Sequence, residues 1–91
     1  MEMIYPHAAS RIYIPVNLDG SLSKTVFQAT HPKPGEIIYW HVDDLYVGET
    51  SGTHELALYP EAGSHILTLI DTSGEVLKID FEVLENLKVG I

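Results

Sequence analysis

The chain contains no cysteine. That excludes a disulfide framework, a thiolate metal site and a cysteine nucleophile. Positive charge is nearly as scarce: five Lys and Arg stand against 13 Asp and Glu, a formal net charge of −8. A phosphate backbone or an anionic bilayer attracts the opposite sign, so nucleic acid and direct membrane binding are excluded as partners. No apolar run approaches the ~20 residues of a membrane-spanning helix, and the residues after Met1 show no signal-peptide pattern. No glycine-rich loop opens a helix, which removes a phosphate cradle. Nowhere do apolar residues hold a helical period over several turns, so a helical domain is excluded as well.

What remains is strand. The 91 residues, 45% of them hydrophobic, suffice for one domain with one modest core. Alternating or β-branched runs fall at 11–15, 24–30, 37–42, 45–47, 54–59, 65–70 and 76–83. Turn signals separate them: Asn17 to Gly20, His31 to Gly35, Asp43-Asp44, Ser51-Gly52, Pro60 to Gly63 and Asp71 to Gly74. Pro15 ends the first run because it has no N–H to give a ladder. Short runs at this spacing predict an all-β sandwich or small barrel of about seven strands. The core is expected over residues 10–83, with 1–9 a lead-in and 84–91 a tail that fits either a helical turn or an extension. Trp40 at the middle of the third run resembles the buried Trp of immunoglobulin-like sandwiches. Along the last run Leu77, Ile79, Phe81 and Val83 alternate with Lys78, Asp80 and Glu82, which identifies its core side. On the run before it, either Leu67 and Leu69 or Ile66 and Ile70 face inward.

Five histidines and the many acids invite a metal or catalytic reading, yet none has the spacing for it. There is no HxH or HExxH, and His41-x-Asp43 is the one close His–carboxylate pair with strand parity. The expected role of these histidines is local bonding to the backbone, with no metal and no cofactor. Asp71 to Gly74 lacks the repeated ligands of a calcium loop, and an Asp in such a turn bonds its own backbone. The serines have no GxSxG or SxxK context, and the adjacent carboxylates of Asp43 and Asp44 do not flank a single bond. No catalytic residue is expected. The aromatics Tyr5, Tyr13, Tyr39, Trp40, Tyr46 and Tyr59 remain, and exposed tyrosines stack on sugar rings. Trp40 reads as core, while Tyr39 and Tyr46 stay open.

Ile38-Tyr39-Trp40-His41-Val42-Asp43-Asp44, Tyr46-Val47-Gly48 and Thr50, then Pro60, Gly63, His65, Leu67-Thr68-Leu69-Ile70-Asp71 and Gly74, form a motif series. It resembles the C-terminal domain of bifunctional penicillin-binding proteins of the 1C type. Ile4-Tyr5-Pro6, Arg11-Ile12-Tyr13-Ile14-Pro15 and Ala29-Thr30-His31 fit the opening of the same family. The resemblance runs from about Ile4 to Val83. It implies an immunoglobulin-like antiparallel sandwich at the end of a periplasmic, inner-membrane-anchored peptidoglycan synthase, excised here from its glycosyltransferase and transpeptidase domains. It implies a non-catalytic accessory role. It also sets the open phase, with Leu67 and Leu69 inward and His65 at the rim, and gives His54 and His65 structural roles against loops. One departure stands out. The family often has Asp-Gly where this chain has Asp43-Asp44, and Asp tolerates a left-handed backbone less well, so a longer or different turn is expected.

With Trp40, Leu67, Leu69 and Phe81 in the core, period-two geometry turns Tyr39, His41, Ile66, Thr68 and Ile70 outward, together with Ile37 and Val76. An outer sheet face is normally polar, so this one is expected to contact other domains of the parent protein or cell-wall proteins. The alternative is a peptidoglycan-binding module. Tyr39, Tyr46 and Tyr59 along one open groove would favour it; a flat apolar sheet face would favour protein.

Overall fold

The structure is a computed structural model, and it describes residues 1–14, 19 and 24–84. Eight strands follow one another among them: β1 (Glu2–Tyr5), β2 (Ser10–Tyr13), β3 (Thr25–Thr30), β4 (Ile37–Val42), β5 (Leu45–Ser51), β6 (His54–Leu58), β7 (Gly63–Asp71) and β8 (Val76–Leu84). They form two sheets in a sandwich-like arrangement, one of three strands ordered β1-β3-β6 and one of five ordered β2-β8-β7-β4-β5. The expected strand end at Pro15, the Asn17 to Gly20 turn apart from Asp19, and the tail beyond Leu84 lie outside the described residues.

Alternation decides which side of each strand is buried. On β8 the side chains of Ile79, Phe81 and Val83 are buried, while Lys78 and Asp80 are exposed. On β4 Ile38 and Trp40 are fully buried, and on β7 Leu67 and Leu69 are. Trp40 pairs across the ladder with Leu69, and Leu67 with Ile79, so these side chains share one face. From the opposite sheet β3 contributes Phe27 and Ala29. The Phe27 and Phe81 rings meet edge to face, 5.5 Å apart at 86°, the arrangement that the aromatic quadrupole favours.

Four expectations are corrected. Among the described residues the strands number eight, one more than the seven runs read from the sequence, because residues 2–5 also form a strand: β1 pairs antiparallel with β3. Four residues ending at Tyr5, just before Pro6, are too few to show a period. Second, the five-stranded sheet is mixed, since β2 runs parallel to β8, with Ser10 opposite Phe81 and Ile12 opposite Val83. The chain crosses from one sheet to the other between β1 and β2, past buried Pro6. A strand that arrives by crossing, rather than by a hairpin, is free to run parallel to its neighbour. Third, β5 does not close at Gly48 but passes through it to Ser51. Trp40 pairs with Gly48 and His41 with Tyr46, so Val47 is the extra residue of a bulge. Gly48 has φ 150°, and a Cβ there would lie 3.2 Å from Leu56 Cδ1, which is why a residue without a side chain continues this strand.

Fourth, the Asp43-Asp44 turn departs from the expected longer or different turn. It is neither long nor unusual: Val42 pairs with Leu45, and the two aspartates alone connect the strands. Both have positive φ, 51° and 70°, the two-left-handed-residue geometry that matches hairpin twist. Asp43 offsets its backbone cost with side-chain bonds described below.

Candidate functional site

Side chains with chemistry to offer gather on three surfaces: the outer face of the five-stranded sheet and the two ends of the sandwich.

On the outer face, Tyr39 of β4 pairs with Ile70 of β7, and Ile70 with Val76 of β8. These three residues form one lateral row. The next row is His41, Thr68 and Lys78, and Ile66 follows opposite Asp80. Ile66 is 51% exposed and Val76 52%; Tyr39, His41, Thr68 and Ile70 are half-buried. His41, Asp44, Thr68, Ile70, Val76 and Lys78 line a shallow depression there. The His41 ring packs edge-on to Tyr46 at 5.7 Å, and its buried Nδ1 has no hydrogen-bond partner. Tyr46 donates from its hydroxyl to Glu49 at 2.9 Å. That bond holds its phenol above the ordinary range.

At one end of the sandwich His31, at the exit of β3, meets the end of β7. Lys33 N–H donates to His31 Nδ1 at 2.9 Å. The ring proton is therefore on Nε2, which donates to Asp71 Oδ2 at 2.9 Å. Asp71 Oδ1 accepts from the backbone N–H groups of Ser73 and Glu75. The His31 bond, helped by those two, holds the Asp71 carboxyl below its ordinary range. Glu36 stands alongside, accepting from the hydroxyls of Ser73 at 2.6 Å and Thr72 at 2.8 Å, which lower its pKa. His31, Glu36 and Asp71 thus come within 4.8 Å of one another through their ligand atoms. The donor set resembles a metal site, but the tautomer opposes one. A ligating Nε2 needs a free lone pair, and Nδ1 accepting from Lys33 leaves Nε2 protonated. The cluster is a closed hydrogen-bonded knot.

Further in, the Trp40 indole N–H donates to Thr50 Oγ1 at 2.8 Å, and that hydroxyl bonds His54 Nδ1 at 2.8 Å. Burial pushes the His54 imidazole below its usual 6.5, and nearby His31 adds to the effect.

At the other end, His65 of β7 lies with Nδ1 2.5 Å from Asp43 Oδ2 and Nε2 2.6 Å from the Glu61 carbonyl oxygen. Ile66 N–H donates to Asp43 Oδ1 at 2.8 Å, and Asp43 N–H donates to the Ile66 carbonyl at 2.9 Å. The His65 bond and then the Ile66 bond hold the Asp43 carboxyl below its ordinary range. Beside this cluster runs an apolar groove of about 470 Å³ walled by Val42, Leu45, Val47, Leu58, Tyr59 and Pro60.

The expected contact residues Tyr39, His41, Ile66, Thr68 and Ile70 therefore share one face, and Trp40, Leu67, Leu69 and Phe81 lie beneath it. The three tyrosines do not share a groove. Tyr46 is on the outer face with Tyr39, each paired through the β4 ladder, whereas Tyr59 lines the end groove with the Lys24 ammonium 5.6 Å over its ring. Sequence reasoning missed the knot of His31, Glu36 and Asp71 and the bridge from Asp43 to His65. Asp71 is far along the chain from His31 and Glu36, as His65 is from Asp43, and strand register brings them together.

Among the described residues no helix is long and apolar enough to cross a membrane. No curated protein and no solved structure matches the chain. A family model does match, over residues 1–81, nearly the whole described length. The chain belongs to the Penicillin-Binding Protein C-terminus family.

Proposed function

We propose that this domain is a non-catalytic accessory module of a periplasmic, inner-membrane-anchored penicillin-binding protein of the 1C type, and that it docks through the outer face of its five-stranded sheet. The partner is another domain of the same synthase or a neighbouring cell-wall protein. The observation that carries this reading is the lateral row Tyr39–Ile70–Val76, with exposed Ile66 further along β7 past the row of His41, Thr68 and Lys78. Apolar side chains aligned across three adjacent strands make a continuous patch, which a sheet facing only water would break with charge. Lys78 and Asp80 flank the patch and suit the polar rim of a protein contact.

The non-catalytic part of the reading is supported by the state of the polar groups. His31, Asp71, Glu36, His54, Asp43 and His65 are bonded to one another, to neighbouring hydroxyls or to local backbone, so none of these six stands as a free general base. The split of the tyrosines over two surfaces weighs against a stacking platform for glycan.

The double variant Ile66→Lys, Ile70→Thr tests the docking face. It is expected to keep its stability within about 1 kcal/mol, because neither side chain is in the core. Binding to the transpeptidase-bearing remainder of the parent, followed by calorimetry, is expected to be lost. Undiminished binding by the folded variant would refute the proposal. Chemical-shift changes at Tyr39 and Tyr46 on adding soluble peptidoglycan fragments would favour the glycan reading instead.

A further inference from the structure

We propose that His65 is a protonated clasp that holds the end groove in shape, so that the groove responds to pH. Nδ1 faces the Asp43 carboxylate at 2.5 Å and Nε2 faces the Glu61 carbonyl at 2.6 Å. Both are acceptors and neither has a proton to give. A neutral imidazole carries one N–H, so one of its nitrogens would point a lone pair at an oxygen. Only the imidazolium satisfies both contacts, and the ring is too enclosed, at 12% side-chain exposure, for water to serve both nitrogens.

The clasp joins three segments. Asp43 belongs to the β4–β5 turn and is fixed to β7 by its own two bonds with Ile66. Glu61 belongs to the connection between β6 and β7. Those segments also wall the groove, with Val42, Leu45 and Val47 on one side and Leu58, Tyr59 and Pro60 on the other. Leu45, 69% exposed, and Tyr59, 56% exposed, stand at its mouth. Loss of the proton sets a lone pair against either the turn or the connection, and one of the two walls is released.

The charged and titratable groups around the ring favour the clasped state. Asp43 contacts it from the turn and Glu61 adds a second carboxylate from the connection. Phe81, from β8, offers only an uncharged ring at 5.4 Å. Tyr59 lies across the groove under the Lys24 ammonium. Burial also opposes it, but the bonds to Asp43 and the Glu61 carbonyl outweigh burial and hold the imidazole above its usual 6.5.

Imidazole nitrogen shifts of the whole chain, followed from about pH 5 to about pH 9 together with Leu and Val methyl spectra, test the clasp. His65 is expected to show both nitrogens protonated at about pH 6.5 and to titrate above it. The methyls of Leu45, Val47 and Leu58 are expected to shift with the same midpoint. In Asp43→Asn, which keeps the size of the side chain and suits a left-handed turn, the midpoint is expected to fall and the methyl transition to move with it. A neutral His65 at about pH 6.5, a midpoint below that value, or groove methyls indifferent to it would overturn the proposal. The wild-type titration decides the matter even if the variant folds poorly.

Discussion

Trp40 and the histidines show how single residues set the stability of this domain. Trp40 is fully buried, and its indole N–H is used by Thr50, so it contributes volume and a satisfied polar handle together. Trp40→Ala is expected to cost about 3–5 kcal/mol, a large part of the roughly 5–15 kcal/mol that holds such a domain folded. Urea denaturation measures this, and an unchanged midpoint would show that the side chain is not packed. His54 and His65 act in opposite directions with pH. The His54 pKa is lowered in the folded protein, so its stabilisation is complete above about 6.5 and is lost as pH falls through the folded value. The His65 pKa is raised, so its stabilisation is complete below about 6.5 and is lost as pH rises through the folded value. Melting temperature is therefore expected to peak near pH 6.5, with Asp43, Asp71 and Glu36 adding to the acid limb at lower pH. In a pH series of thermal melts, Asp43→Asn should flatten the alkaline limb and leave the slope assigned to His54.

Turns and bulges carry the element-scale logic. Two aspartates occupy a turn that demands positive φ at both positions, where a residue with a side chain loses roughly 1–2 kcal/mol. Asp43 recovers that cost by bonding Ile66 N–H and His65. The Asp44 carboxylate has no such bond among the described residues. The two positions should thus respond oppositely to glycine. Asp44→Gly is expected to stabilise by up to about 1 kcal/mol, because relief of backbone strain exceeds the added chain entropy. Asp43→Gly is expected to destabilise by about 1 kcal/mol or more, having removed an acceptor from a backbone N–H and from the imidazolium. Paired denaturation curves check the contrast, and equal effects of the same sign would refute it.

Across the whole molecule, polar groups hold both ends of a sandwich whose middle is apolar. Phe27 and Phe81 join the sheets at the centre, while the bonds of His31 to Asp71 and of His65 to Asp43 secure the ends. The pair at the His31 end is buried, with side-chain exposures of 3% and 1%, and its carboxylate is satisfied by backbone donors as well, the condition under which a buried charge is tolerated. Because the His31 proton already occupies the nitrogen nearest the acids, no metal is needed to hold this end. Melting temperature is expected to stay unchanged with chelator and with added zinc. A rise of several degrees with zinc would show that the knot opens to bind it, since a ligand of the native state stabilises by mass action.

Much of this fold is legible in the sequence, because a strand's two faces follow from the chain itself. Side chains alternate with period two, and the run from Leu77 to Val83 declares its buried side without reference to any neighbour. Turn residues likewise act locally, so the borders at Gly35, Pro60 and Gly74 can be read directly. β7 is different: Ile66 and Ile70 are as apolar as Leu67 and Leu69, and its inward side depends on what β4 and β8 place beside it. The pairing of β1 with β3, the parallel run of β2 along β8, and the meeting of His31 with Asp71 and of Asp43 with His65 were decided by tertiary structure alone. Each joins segments whose separation along the chain carries no local signal. Their contact follows from burying both apolar sheet faces at once, a constraint that acts on the whole chain and on no single run.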